Sequence, residues 1–466
     1  MATRHVLMWF DVEDCTVPES DDCAMRIAEI LTENGARGTM KIVGQKLRVM
    51  RERVRYRVIE ELGKHAVGYH SDMHGQHPQP AEYMAQHDWL DGQQEFARRE
   101  RRGVDDLIDT FGRVPCTYGQ PGGNWSPQVF PVLREWGIPT YVSGFGYVGL
   151  DSQPFYYGGI PNMSHLYGIG GDREPNNYFG LGFELGTDGA LEQHRQQFDA
   201  IYERLSSGGT ISIANHPVQF AIERWWSADL KPRAQRDRGY EQFDALVKFI
   251  GEHPEVEFIT AEDLPRIYPD RAAGRVFSAD ELRELAVNVG TEVYFQRLDD
   301  MVVSAAELFG MFTRFLAQSI REDRIAPGAV CEHLDGPVEG LGGPSILGWF
   351  QQDRGEFTSF LMDTEQFLRA HGRLPGGVEA DEGWAGIGDW FCCAAQMVAH
   401  IVETGDLLDL VESGPARMRV ADHVDDAAAE GSWTGSMAEG DGFDGRKLLA
   451  QARLQAWTLK PAILAE

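Results

Sequence analysis

Residues 5–260 alternate short apolar runs with longer amphipathic segments, and this alternation constrains the fold more than any other feature. Val6–Phe10 reads as a strand. Ser20–Asn34 reads as a helix: Ser20 can cap it, Asp21 and Asp22 suit the positive end of its dipole, and Asn34–Gly35 ends it. Gly38–Val43, Ala66–Tyr69, Thr140–Ser143, Thr210–Ala214 and Glu257–Ile259 read as further strands. Arg51–Leu62, Gln93–Phe111, Pro127–Trp136, Leu191–Leu205 and Tyr240–Glu252 read as helices. Such alternation needs a parallel sheet with helices packed on its faces. Residues 1–270 thus read as an α/β fold whose sheet can be open or closed, and roughly seven units are enough for a barrel of about seven strands.

With 466 residues, 42% of them hydrophobic, the chain can build more than one core. Its 72 acids against 43 Lys and Arg give a formal net charge of −29. That surface repels a DNA duplex or an anionic bilayer, so neither nucleic acid nor membrane is an expected partner. No apolar run is long enough to span a bilayer. The residues ahead of His5 lack the basic and apolar regions of a secretory leader. Cys15, Cys23, Cys116, Cys331, Cys392 and Cys393 show no paired spacing and no C-x-x-C. Reduced thiols in a cytoplasmic chain are therefore expected.

Composition changes near Tyr268–Arg275, where Pro269, Arg271, Ala272, Ala273 and Gly274 read as a linker. Beyond it strands become rare, and Ala279–Val289, Ser304–Ile320, Phe357–Ala370 and Ile387–Val402 carry helical periodicity. Residues 275–466 are thus expected to form a mainly α-helical C-terminal domain with an accessory, oligomerising or glycan-binding role. Val303–Phe312 and Ile387–Val398 look alike at a spacing of roughly 85 residues, the mark of an internal duplication. His371–Val378 and its flanking helices resemble the pseudomurein-binding repeat, which implies glycan or peptide binding. In the first half, Tyr141–Gly186 loses periodicity and is rich in aromatics; it reads as a functional loop for sugar faces or as an irregular insertion. Val420–Glu439 reads as a small acidic loop.

The candidate chemistry sits at the downstream ends of apolar runs, where α/β sheets and barrels place their sites. Asp11, Glu13 and Asp14 follow His5–Phe10, and strand alternation puts Asp11 and Glu13 on one side. One acid can bind a metal while another stays free as a base. His70 and His74 follow Ala66–Tyr69; Gly68 and Gly75 argue against a helix there, but a strand end running into a turn can aim both rings at one ion. Two imidazoles and a carboxylate suit a divalent metal, zinc by ligand type, with room for water. His216 follows Thr210–Ala214, where a histidine can titrate near neutrality and protonate a leaving group. Gly144–Gly149 fits G-x-G-x-x-G, but Leu150–Pro154 after it is not a helix, so no dinucleotide site is expected.

Taken in order, these motifs resemble the polysaccharide deacetylase family, also called carbohydrate esterase family 4 or NodB-homology, over about residues 5–268. The resemblance implies a distorted (β/α) barrel, Asp11 as general base, His70 and His74 as metal ligands, and His216 as general acid. In the branch with D-V-D or D-V-E spacing the metal carboxylate lies two residues on, which favours Glu13; Asp14 remains the other candidate. The family's third motif corresponds to Tyr118–Gly123, where Pro121, Gly122 and Gly123 would bind substrate and its oxyanion. Gly119 stands where the family has an arginine that orients the base, so a raised Asp11 pKa is expected. The implied activity is a metal-dependent hydrolase, removing an acetyl or other acyl group from an N-acylated sugar or oligosaccharide. The alternatives are an allantoinase-like opening of a cyclic amide, and a catalytically degenerate barrel that binds glycan.

Overall fold

The computed structural model describes residues 2–465 except 145, 151–153, 165–176, 347, 381–382 and 426–442. Parts of the loose stretch at 141–186 and most of the acidic loop at 420–439 therefore lie outside the described residues.

The first half opens with β1 (Arg4–Val12), α1 (Glu19–Glu33), β2 (Thr39–Ile42), α2 (Gly44–Glu52), α3 (Tyr56–Gly63) and β3 (Ala66–Tyr69). It continues through α4 (Pro80–Met84), α5 (Trp89–Phe111), α6 (Val129–Glu135), β4 (Tyr141–Val142), β5 (Phe155–Tyr157), β6 (Ile160–Met163) and β7 (Tyr178–Leu181). It ends with α7 (Ala190–Arg204), β8 (Gly209–Asn215), α8 (Arg233–Gly251), β9 (Val256–Ile259) and α9 (Leu264–Ile267).

Strands β3-β2-β1-β8-β7 lie side by side and parallel, with β9 also on β1. Parallel bridges Tyr69↔Tyr118 and Tyr118↔Tyr141 carry the wall on to β4, which pairs with β6. This is the distorted (β/α) barrel; among the described residues no pairing joins β7 to β6. Every residue of β1 is buried, as a strand covered on both faces requires. Two local expectations change. The helix expected over Arg51–Leu62 is broken into α2 and α3 where Val54 takes a positive φ of 59°. Ser20 does not cap α1: it lies inside the helix, and its hydroxyl donates to the Asp14 and Val17 carbonyls.

The second half runs β10 (Val276–Ser278), α10 (Ala279–Val289), β11 (Gln296–Leu298), β12 (Met301–Val303), α11 (Ala305–Glu322) and β13 (Gly328–Val330). It then runs β14 (Phe350–Asp353), α12 (Arg354–His371), β15 (Val378–Ala380), β16 (Gly383–Ala385), α13 (Ile387–Thr404) and β17 (Leu410–Ser413). These two series are the same unit twice. In each, the first and last strands pair antiparallel (β10–β13, β14–β17) and the middle two form a hairpin ribbon (β11–β12, β15–β16). The helices pack crosswise, α10 on α13 and α11 on α12, as two copies related by an approximate twofold would. Reciprocal capping boxes at Ser278, Ser304 and Asp353 start three of the four helices. The strands were hidden from sequence because each has only three or four residues.

The chain closes with α14 (Gly445–Gln455) and β18 (Lys460–Pro461), and β18 returns to the first half to pair with β5. Around it the Gly158 amide donates to Thr458 Oγ1 at 2.9 Å and the Tyr157 hydroxyl to the Ala452 carbonyl at 3.2 Å. Lys460 Nζ lies 2.8 Å from Glu307 and 2.7 Å from Asp270. One hydrophobic cluster includes Phe130 and Tyr157 of the first half with Phe309, Trp390 and Trp457 of the second. The boundary near 270 is thus a change of element type and does not separate two cores.

Candidate active site and metal centre

Asp11 near the C-terminal end of β1 and Glu13 just past it are both buried and turn towards the same histidine, His216. Glu13 Oε2 lies 3.1 Å from His70 Nε2 and 2.7 Å from His74 Nε2. The ligand atoms of Glu13, His70 and His74 fall within 4.8 Å of one another, as do those of Asp11, Glu13 and His216. His70 follows β3, and its Nδ1 donates to the Gly119 carbonyl at 2.7 Å. That bond fixes the tautomer and leaves the Nε2 lone pair aimed at Glu13, the arrangement in which a metal-binding histidine is oriented by its other nitrogen. The turn from His70 to His74 is held tightly. Ser71 and His74 adopt left-handed backbones with φ of 63° and 43°. The His74 amide donates to Ser71 Oγ at 3.1 Å, and the Asp72 amide to Glu100 Oε2 at 2.7 Å. Among the described residues His74 Nδ1 is buried without a hydrogen-bond partner, while Nε2 faces Glu13 Oε2 at 2.7 Å. Buried polar atoms are rarely left so. Two buried imidazoles whose Nε2 atoms converge on one carboxylate, one of them oriented by a carbonyl, fit a divalent cation of the zinc type.

Asp14 is turned away. Its Oδ1 accepts from the Thr16 amide at 2.8 Å and the Val17 amide at 3.3 Å, the self-bonding of a short acid at a turn. It belongs to neither carboxylate–histidine cluster, so Glu13 is the acid that meets the histidines.

Asp11 stands beside this group. Its Oδ1 lies 2.8 Å from Lys41 Nζ and its Oδ2 3.4 Å from His216 Nε2. His216, just after β8, is also 3.9 Å from Glu13 Oε1 and is the most exposed member. Burial pushes the Asp11 carboxyl up, but His70, Lys41 and His216 outweigh it and hold it below its ordinary value. This reverses the rise expected from the missing arginine. Glu13 is held well below the usual range: burial opposes, but His74, His216 and His70 prevail. Burial draws His70 down, whereas for His74 the adjacent Glu13 overcomes burial and raises it.

Pro121, Gly122 and Gly123 lie on the loop that leaves Gly119. Gly122 has a φ of 50°, the Asn124 amide donates to the Pro121 carbonyl at 3.0 Å, and the Tyr147 hydroxyl donates to the Gly123 carbonyl at 3.1 Å. These bonds shape the loop.

Sequence reading missed Lys41 and the pair Trp225 and Trp226. Trp225 packs edge-on to His216, with centroids 4.8 Å apart, and Trp226 is 5.6 Å from His74. Both are exposed, at 40% and 46%. Adjacent tryptophans in the charged stretch 223–233, just past His216, were the available signal.

No protein-family profile matches the sequence, and no curated protein does. Solved structures are similar at low identity. An allantoinase shares 14% identity at a TM-score of 0.39, covering 57% of this chain and 92% of its own. A family 4 carbohydrate esterase from Streptomyces lividans, in complex with acetate, shares 16% at 0.30, covering 55% and 92%. A polysaccharide deacetylase from Bacillus cereus shares 13% at 0.31, covering 55% and 91%. The chemistry of the site rests on its own geometry.

Proposed function

We propose that this protein is a metal-dependent hydrolase that removes an acyl group, acetyl by preference, from an N-acylated sugar or oligosaccharide. The observation that carries the proposal is the convergence of Glu13, His70 and His74 with Asp11 and His216 on its flank. A divalent cation held by Glu13, His70 and His74 would polarise the scissile carbonyl and acidify a water. Asp11, ionised and anchored on one oxygen, takes a proton from the attacking water. His216, more open and beside Asp11, delivers a proton to the departing amine. The amides of Gly122 and Gly123 are the proposed oxyanion donors. Trp225 and Trp226 offer flat apolar faces at the rim, which suits a pyranose ring better than a small polar ureide.

Two measurements test this. Elemental analysis after dialysis should find about one divalent ion per chain, most of it lost from His70→Ala, His74→Ala and Glu13→Gln but retained by Asp14→Asn. Acetate release should be seen from N-acetylated sugar oligomers. Metal without acetate release, but with turnover of a cyclic ureide, would favour the allantoinase-like reading. Neither metal nor turnover would favour a glycan-binding barrel.

A further inference from the structure

Strand β2 brings one charged side chain to the site, Lys41, and it is fully buried. In the β1–β2 register it lies directly beside Asp11, and in the β2–β3 register beside Gly68. An ammonium group has three N–H bonds. Here it pairs with Asp11 Oδ1 at 2.8 Å, donates to the Val142 carbonyl at 3.1 Å and lies over the face of Trp9 at 3.9 Å. This tripod fixes Nζ, and Nζ in turn fixes Oδ1, so that Oδ2 is the oxygen turned to His216. The channel for the lysine is cut by two glycines. A Cβ on Gly68 would stand 2.9 Å from Lys41 Cγ, and one on Gly119 would stand 2.5 Å from Nζ and 2.3 Å from the Val142 carbonyl. No side chain at 119 can therefore coexist with this ammonium.

We infer that Lys41 is the positioning residue for Asp11, orienting the carboxylate from strand β2 in a site where position 119 can carry no side chain. The inference rests on Asp11 being the general base. The contacts of the Lys41 ammonium among the described residues are with Asp11, Val142 and Trp9, so it acts by holding one oxygen of Asp11 still.

The test uses the full chain loaded with zinc. Lys41→Met keeps length and apolar volume and removes the ammonium; Lys41→Gln, which keeps an N–H donor without charge, is the second variant should the first fail to fold. The expected result is a fall in kcat of about 100-fold, the scale of a displaced catalytic group. KM on N-acetylated sugar oligomers should change less than about threefold and zinc content not at all. Full kcat in a folded Lys41 variant would overturn the inference. A crystal structure of the variant gives a readout independent of substrate. With Lys41 removed the Asp11 carboxylate should swing from its present orientation, and an unmoved carboxylate would overturn the inference. If wild type binds zinc but releases no acetate, the proposed function fails, and the orientation of Asp11 still decides the role of Lys41.

Discussion

Lys460 at the seam between the halves and Lys41 at the site both bury an ammonium against carboxylates, yet they are completed differently. Lys460 meets both oxygens of Glu307 and both of Asp270, and Glu307 also caps the Ser304 amide at 2.7 Å. Nothing there is left to react. Lys41 engages one oxygen of Asp11 and leaves the other facing His216 across 3.4 Å. A saturated pair can only fasten. A pair with one oxygen unspent can hold a base in place and still let it take a proton.

Substitutions should separate the two kinds of pair. Asp11→Asn is expected to lower turnover by about 1,000-fold or more, the range for losing a general base, while divalent-metal content and thermal stability stay near wild type. Parallel loss of metal or of folding would make Asp11 a fastener as well. Lys460→Met leaves two acids facing each other beneath the seam and should destabilise the chain by about 3–5 kcal/mol in a denaturant titration. The kcat of its folded fraction should be unchanged. A chain cut after Arg271 loses β18 as well, and light scattering should show it aggregating.

Glu100 gives a smaller effect, with a sign that can be checked. Burial raises its carboxyl to about 7, from a position where it accepts from the Tyr69 hydroxyl and the Asp72 amide. The folded chain then binds more protons than the unfolded one between about pH 4.5 and 7. Stability should fall as pH rises through that window, by roughly 3 kcal/mol at most. Glu100→Gln should flatten that slope and be the more stable form at pH 8. The smallest effect is expected of Trp226→Ala, a rise in KM of about 5- to 10-fold, or roughly 1 kcal/mol of stacking, with kcat nearly unchanged. A fall in kcat alone would move Trp226 from substrate binding to support of His74.

The residues that end apolar runs were legible because position along a parallel strand is position in the site: Asp11, Glu13, His70 and His216 needed only the strand ends. Asp14 was ambiguous in sequence, since whether a short acid faces a cavity or its own turn depends on two amides downstream. Lys41 was not legible because a lysine in a short strand reads as an edge residue reaching water; only the register beside Asp11 reveals it. The duplication showed faintly through α11 and α13, while its ribbons, too short to carry a period, did not. The seam escaped notice for the same reason, since β18 spans two residues.

Gly158 and Thr458, bonded across the seam, lie 300 residues apart. At a synthesis rate of about 5–20 residues per second, Thr458 follows Gly158 from the ribosome by about 15–60 s. For that interval β5 is an uncovered strand edge beside a nascent sheet, open to pairing with the wrong segment or with another nascent chain. The time that this chain spends unfinished is therefore written into its topology, and conditions that slow translation of the second half should lower its yield of folded protein before they alter anything in its finished site.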